Sequence, residues 1–593
     1  MDFNFLIVVY SLFFDYKVTR MTVDKRDVGD VFRERLADLA GRYGGNQAAF
    51  ARAIGLDRSA LRQLMTPGST RLPRAETLCR IAERHSVSLD WLLGLSQSDT
   101  VATEISTALE IEEAADDRDD TRLNEWHREA IGYKIRYVPK TLPDPLRSQE
   151  VILYEHSPDA AAALALAIGN FCRWRAAVMP ALKAARETDP TFGFAHVAGG
   201  LILHAARDAR FQPMIAEALT AAHAVQGGMS PRERLYLAAL QAAASGRIAE
   251  SVSVYETILA YHPTDLFAQR LAQMELFWIG EMRWSAEISG RITAHWNENT
   301  PDYGHHLSCR AFDLEEIHEF EEAERLARTA VDRDPTDVWG THAVAHVLIM
   351  QGRHGEGIAW LDGLKHNWED ANQMKLHLWW HRCLFHLERG ETEAVLDVYD
   401  AWVRNRSLDL LQAMPDLYID MQNGASMLLR LQLRGVDVGA RWEELCDLTL
   451  PRVDDHTSPF TSAHFAVILA ACGRFQEADG LIRSMKAFAT EPEKTLAPRY
   501  GVAAVPAAEA AVAHARGDHQ AVIEALFPAR HMLWQMGGSH AQRDLFFLIL
   551  ADSVRRLERR DLMPILVDDV AWAGFTEPAE RIGYAGMAAE RIV

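Results

Sequence analysis

The sequence predicts an all-α chain, built as a small N-terminal helical domain followed by a long array of helix pairs. Two observations carry that reading. From Ser157 onward the chain is Ala-rich with apolar residues at three- and four-residue steps. Within it Asp189-Pro190-Thr191, His262-Pro263-Thr264-Asp265 and Asp334-Pro335-Thr336-Asp337 recur with prolines 73 and 72 residues apart. Between Gln47 and Leu64, two short amphipathic segments meet at Gly55, where a tight turn needs a residue tolerant of positive φ. At 593 residues the chain exceeds a single compact core, which an array of stacked units accommodates.

In chain order, residues 1–20 hold the apolar run from Phe5 to Phe14. It is too short to span a bilayer, has no basic stretch before it, and is followed by Asp15 and Lys17 without a small-residue cleavage site. It reads as an extension upstream of a start at Met21, and no other run is long enough for a membrane span.

Residues 21–97 form the first domain. A helix is expected from Val31 to Tyr43, and a second from an N-cap at Asn46. A third starts at Asp57, a fourth runs from Arg74 to His85, and Ser88 to Gly94 forms a short closing helix. Ala49, Phe50, Ala53, Ile54, Leu56, Leu61 and Leu64 bury one face of the central pair, leaving Asp57, Arg58, Ser59, Arg62 and Gln63 free. This pattern resembles the Cro/cI-type, or Xre-type, helix-turn-helix domain, a five-helix lambda-repressor-like fold. The resemblance implies double-stranded DNA as partner and a homodimer reading two half-sites. It also assigns contacts: Arg58, Ser59, Arg62 and Gln63 to base edges, Asp57 at the start of the reading helix, and Gln47 and Arg71 nearer phosphates.

Charge limits where DNA can bind. Residues 21–97 carry net +3, whereas residues 98–593 carry −24 of the total −21. A body so acidic repels phosphate within a Debye length of roughly 8–10 Å, so contact is confined to the small domain. Residues 98–156 begin as an acidic tether containing Glu110 to Glu113 and Asp116 to Asp120. They continue as a small β insert, where Tyr133 to Val138 alternates as a strand and Val151 to Tyr154 pairs back.

Residues 157–593 are the repeat array. Gly246, Gly352, Gly390, Gly473 and Gly517 each interrupt a helical pattern and precede another, marking the turn inside a pair, and proline separates one pair from the next. Pairs of this kind stack into a solenoid with a groove lined by the first helix of each pair. Trp339 to Val347, Trp380 to Glu388, Ser462 to Phe465 and Gly537 to Asp544 resemble tetratricopeptide repeat protein 38 and its bacterial relatives. That resemblance implies a tetratricopeptide-like fold and brings no defined activity.

His342 and His346 share one helix face, and His377 and His381 repeat their spacing 35 residues later, one repeat on. With His305 and His306 on the preceding first helix, and His464, His540, Arg543 and Asp544 further on, they are the candidate groove residues. The expected groove ligand is a peptide, a protein or a small molecule. A metal or an acid/base centre is the alternative, against which stand the absence of a His-Glu-x-x-His motif, of a fixed carboxylate ligand and of a nucleophile motif. No catalytic residue, metal ligand or cofactor is therefore assigned. Glu315, Glu316, Glu319, Glu321, Glu322 and Glu324 read as a solvated face. Six cysteines without a Cys-x-x-Cys pair read as reduced thiols of a cytoplasmic protein. Neither a phosphate-binding loop nor a dinucleotide fingerprint is present, so nucleotide chemistry has no support. The expected function is a DNA-binding transcriptional regulator whose solenoid senses a ligand, with an enzyme or metal-binding protein as the alternative.

Overall fold

The computed structural model describes residues 25–41, 50–51, 54, 56, 58–66, 157–572 and 580–585, with single positions between 73 and 92. The chain divides into two compact units, Met1–Ala130 and Ile131–Val593. Every regular element among the described residues is helical, and one isolated β-bridge pairs Arg175 with Ala371. No described helix is long and apolar enough to cross a membrane. The residue 1–20 extension, the β insert within 98–156, and Gln47, Asp57 and Arg71 lie outside the described residues.

In the first unit, α1 spans Lys25–Gly41, beginning six residues before the expected Val31, and α2 spans Arg58–Leu64. Phe32, Leu36 and Leu39 of α1 form one core with Phe50, Ile54, Leu61, Leu64, Ile81 and Leu92. The Ile54 N–H donates to the Phe50 carbonyl at 3.1 Å, and the Leu56 N–H to the Ala51 carbonyl at 2.9 Å.

The second unit is a series of helical hairpins. Its helices are α3 Pro158–Cys172, α4 Val178–Thr188, α5 Gly193–Ala205, α6 Gln212–Ala224, α7 Pro231–Ala244, α8 Ile248–Tyr261, α9 Leu266–Trp278 and α10 Met282–Ile292. There follow α11 Tyr303–Glu315, α12 Phe320–Arg333, α13 Val338–Met350, α14 His354–Leu364, α15 Met374–Glu388, α16 Thr392–Val398, α17 Tyr418–Gln432 and α18 Arg441–Thr449. The last are α19 Pro459–Ala471, α20 Phe475–Phe488, α21 Val505–Ala515, α22 His519–Ala529, α23 His540–Arg556 and α24 Met563–Trp572. Successive helices pack as neighbours, and from α9 to α23 each odd-numbered helix also packs on the next odd one. This side-by-side order is consistent with an α-solenoid.

One turn chemistry builds the hairpins. Gly246, Gly352, Gly390, Gly473 and Gly517 all have φ between +69° and +78°. The amide after each reaches back five residues, as in Arg247 to Ala242 and Arg353 to Leu348, both at 2.9 Å. That is the Schellman closure, for which glycine carries no Cβ penalty. Between hairpins, the aspartates after proline cap the next helix: Asp265 accepts from the Ala268 amide, and Asp337 from those of Trp339 and Gly340.

The odd helices α9, α11, α13, α17 and α19 are buried almost all round, and every residue of α13 is buried. A helix apolar on all sides belongs between other helices, and α13 lies among α11, α12, α14, α15 and α23. The contact of α23 with α13 and α17 means that the unit folds back on itself. Elsewhere along this seam the Thr457 hydroxyl donates to the Arg207 carbonyl at 2.7 Å, and Arg499 Nε to the Ile279 carbonyl at 3.0 Å. The expected groove is therefore an interior.

Candidate functional site

Two adjacent odd helices, α13 and α15, bring four histidines together. His342 and His346 lie one turn apart on α13, as His377 and His381 do on α15, and all four are buried. Ring centroids are 4.3 Å apart for His342 and His346, 4.7 Å for His377 and His381, and 4.6 Å for His346 and His381. One nitrogen from each ring can be chosen so that all four lie within 4.8 Å of one another. The equal spacing of the pairs, offset by one repeat, produces this convergence.

Aromatic walls hold the rings. Trp380 stacks on His377 at 5.0 Å and Phe312 on His342 at 5.3 Å, with Trp339 at 4.8 Å from His342. Burial drives every one of these imidazoles toward the neutral form. It takes His346 down to about 4, against the pull of the nearby Glu316 charge, and His377 down to about 3. His342 and His381 fall well below their ordinary value, through burial and then through the neighbouring rings.

A carboxyl pair adjoins the cluster. Glu315, at the end of α11, places Oε2 3.3 Å from His346 Nδ1. Glu316 follows it, accepting from the His540 amide at 3.3 Å and lying 3.7 Å from Arg543. Burial pushes both carboxyls up to about 8, and in Glu316 the neighbouring Glu315 adds to the rise. The solvated-face reading of the glutamate run is thus corrected for these two. Glu319, Glu321 and Glu322 are exposed as expected, but Glu315 and Glu316 close an odd helix and are covered by α23.

His342, His346 and His377 also face a pocket walled by Trp174, Phe277, Trp278, Phe312, Trp339 and Tyr418, with Gln273, Gln422 and Gln542 as its amides. The cavity these residues enclose is small, about 40 Å³.

The remaining expected groove residues separate. His540 and Arg543 flank Glu316, one contact away from the histidines. His305 lies 3.4 Å from Asp337, the cap of α13, and His306 Nδ1 donates to Gln269 Oε1 at 3.0 Å. His464 bonds the Phe460 carbonyl of its own helix at 2.9 Å. Asp544 is held by Arg430, Arg581 and Tyr584, a structural knot and no part of the pocket. On α2, Arg62 and Gln63 are exposed, while Leu61 and Leu64 are buried. Arg58 and Ser59 sit in the first turn of the same helix.

Sequence reasoning missed Glu315, Glu316 and Asn423, whose Oδ1 accepts from His377 Nδ1 at 2.8 Å. The available signal was the position of Glu315 at the end of a first helix of a pair, where residues are buried, whereas Glu319 precedes the second. No family model matches the chain.

Proposed function

We propose that this chain is a DNA-binding transcriptional regulator, with an Xre-type reading head, whose tetratricopeptide-like unit senses a peptide, protein or small-molecule ligand. The observation that carries the proposal is the two-sidedness of α2. Leu61 and Leu64 anchor it in the small core, and Arg62 and Gln63 stand free on the other face. Arginine offers two parallel donors to guanine and glutamine pairs with adenine, so this helix carries side chains suited to base edges. The net +3 of residues 21–97 against −24 for the rest supports the same division of labour.

The pocket supports the sensing half. Its walls are mainly aromatic with a few amides and imidazoles, a lining suited to an apolar group that carries a few polar atoms. A homodimer supplies the second half-site that one weakly basic head requires.

The test selects duplexes from a random pool with the full chain, then titrates wild type and Arg62→Ala on the selected duplex and on a scrambled one. Loss of one base-reading arginine costs about 1–3 kcal/mol, or about 5- to 150-fold, on the selected site. The scrambled duplex loses far less. Equal losses on both, or a pool that never enriches, overturn the proposal.

A further inference from the structure

We propose that His342, His346, His377 and His381 bind one transition-metal dication of the zinc class through four imidazole nitrogens. This inference stands on the second unit alone and does not rest on DNA binding.

The geometry is that of a site built from two helices. Each helix supplies a pair of rings one turn apart, and one nitrogen from each ring lies within 4.8 Å of the other three. Zinc–nitrogen bonds of about 2.0–2.1 Å in a tetrahedron put the donors about 3.4 Å apart, so the rings close by no more than about 1.4 Å. Side-chain torsions cover that distance without moving α13 or α15.

The unused nitrogens point the same way. Neither ring nitrogen of His342 or His381, nor Nε2 of His346, has a hydrogen-bond partner. A buried polar atom left unpaired is costly, so a purely packed cluster of this kind carries a penalty at each such nitrogen. A metal ion takes up one lone pair per ring at a single centre.

One outer contact sets a tautomer. Asn423 Oδ1 can only accept, so His377 Nδ1 carries the proton and Nε2 keeps its lone pair. Glu315 Oε2 lies 3.3 Å from His346 Nδ1, on the side away from a ligating Nε2. Carboxylate and amide acceptors behind ligating imidazoles are the usual means of fixing their orientation. A neutral all-imidazole set suits zinc, copper, nickel or iron, whereas magnesium and calcium require oxygen.

A comparison within the same unit sharpens the case. His514, His519 and Asp552 also come together, but His514 bonds Asp552 at 2.8 Å, His519 bonds Ser553 at 3.1 Å, and Asp552 is further held by Arg555 and Arg556. That group satisfies itself. The four interior histidines do not.

The experiment strips the full chain with a chelator, then titrates it with Co²⁺ followed by Zn²⁺. One Co²⁺ per chain is expected, with the strong visible bands of four-coordinate cobalt, displaced by one Zn²⁺. Zinc-edge X-ray absorption is expected to show a nitrogen shell at about 2.0–2.1 Å without sulfur. The paired His342→Ala/His381→Ala variant is expected to lose at least 100-fold in affinity. Glu315→Gln, which keeps shape, is expected to lose about 10–100-fold. His514→Ala/His519→Ala is expected to bind as wild type. No uptake by wild type, an oxygen-rich six-coordinate spectrum, a sulfur shell, or a site lost in the His514/His519 variant each overturns the proposal. Where the interior variants do not fold, the wild-type spectra and stoichiometry decide.

Discussion

Replacing Asp544 tests whether the second unit is locked by a buried charge knot. Asp544 accepts from Arg430 Nη1 at 2.8 Å, from Arg581 Nη1 and Nη2 at 2.9 and 2.7 Å, and from the Tyr584 hydroxyl at 2.8 Å. It thereby ties α17 and α23 to the turn at Arg581. In Asp544→Ala two guanidiniums stay buried. Arg430 keeps the Ala541 carbonyl and Arg581 keeps Glu388 at 3.8 Å, so neither is wholly stranded. Breaking a buried pair by removing one partner costs about 3–5 kcal/mol, and the retained contacts place this case near 4. An unfolding entropy of about 2.1 cal/mol/K per residue gives roughly 1.0 kcal/mol/K for a unit of about 460 residues, so the midpoint falls by about 4 °C.

Calorimetry of the full chain at pH 7 reads that shift, and two controls give it meaning. Burial raises the Asp544 carboxyl, but the charges of Arg581 and Arg430 outweigh it and hold the group well below the ordinary carboxylate range. A depressed folded value means that the stabilisation is fully present above the unfolded value and is lost only as pH falls through the folded one. The gap between wild type and Asp544→Ala is therefore constant from pH 5 to 8 and closes only below about pH 4. It also resists salt, unlike the exposed Arg325–Glu322 pair. A midpoint within 1 °C of wild type, or a gap that vanishes in high salt, refutes the knot.

Other expected outcomes follow from packing and titration. In α14, a Cβ on Gly357 would overlap the Phe385 ring, whereas Gly363 has open space around it. Gly357→Ala is expected to cost about 1–3 kcal/mol and Gly363→Ala to gain up to about 1, read as opposite shifts of the thermal midpoint. Asp420 has no hydrogen-bond partner for either oxygen, and burial pushes it up to about 8, with Asp416 and Glu444 adding to the rise and Arg404 opposing it. A raised value gives stability that is full below the unfolded value and is lost as pH rises toward 8. Asp420→Asn is expected to flatten that decline by about 1 kcal/mol per pH unit, seen in urea midpoints from pH 5 to 8; parallel curves for both proteins refute the assignment.

The turns were legible in the sequence because their chemistry is local. Gly246 or Gly473 announces a left-handed closure, since few other residues adopt it without strain. His318 shows the limit: it takes φ +70° at the turn between α11 and α12, where the next amide again reaches back five residues, and its side chain gives no such announcement. The convergence of His342, His346, His377 and His381 was legible because two spacings, four and 35, both had to hold. His305 and His464 also lie on odd helices, α11 and α19, and still point elsewhere. These helices are buried almost all round, so helical periodicity cannot tell a residue facing the pocket from one facing a flanking helix. Glu315 and Glu316 were unreadable for a different reason. Their burial depends on α23 arriving from 224 residues away, at the bond from the His540 amide to Glu316.

Two of the buried polar groups described in this unit differ in a way that bears on function. Around Asp544, every charge meets an opposite charge or a carbonyl, and the group closes on itself. Such a network specifies which helices meet, and it needs nothing from outside. Around His342, equally buried side chains leave ring nitrogens and both Glu315 oxygens without partners. Apolar side chains of similar volume would fill the space between α13 and α15 without that penalty, since the surrounding walls are Phe312, Trp339 and Trp380. Packing therefore accounts for the first group and not for the second. What the imidazoles offer that phenyl rings do not is a set of lone pairs at fixed positions, beside a carboxyl and at the wall of a pocket.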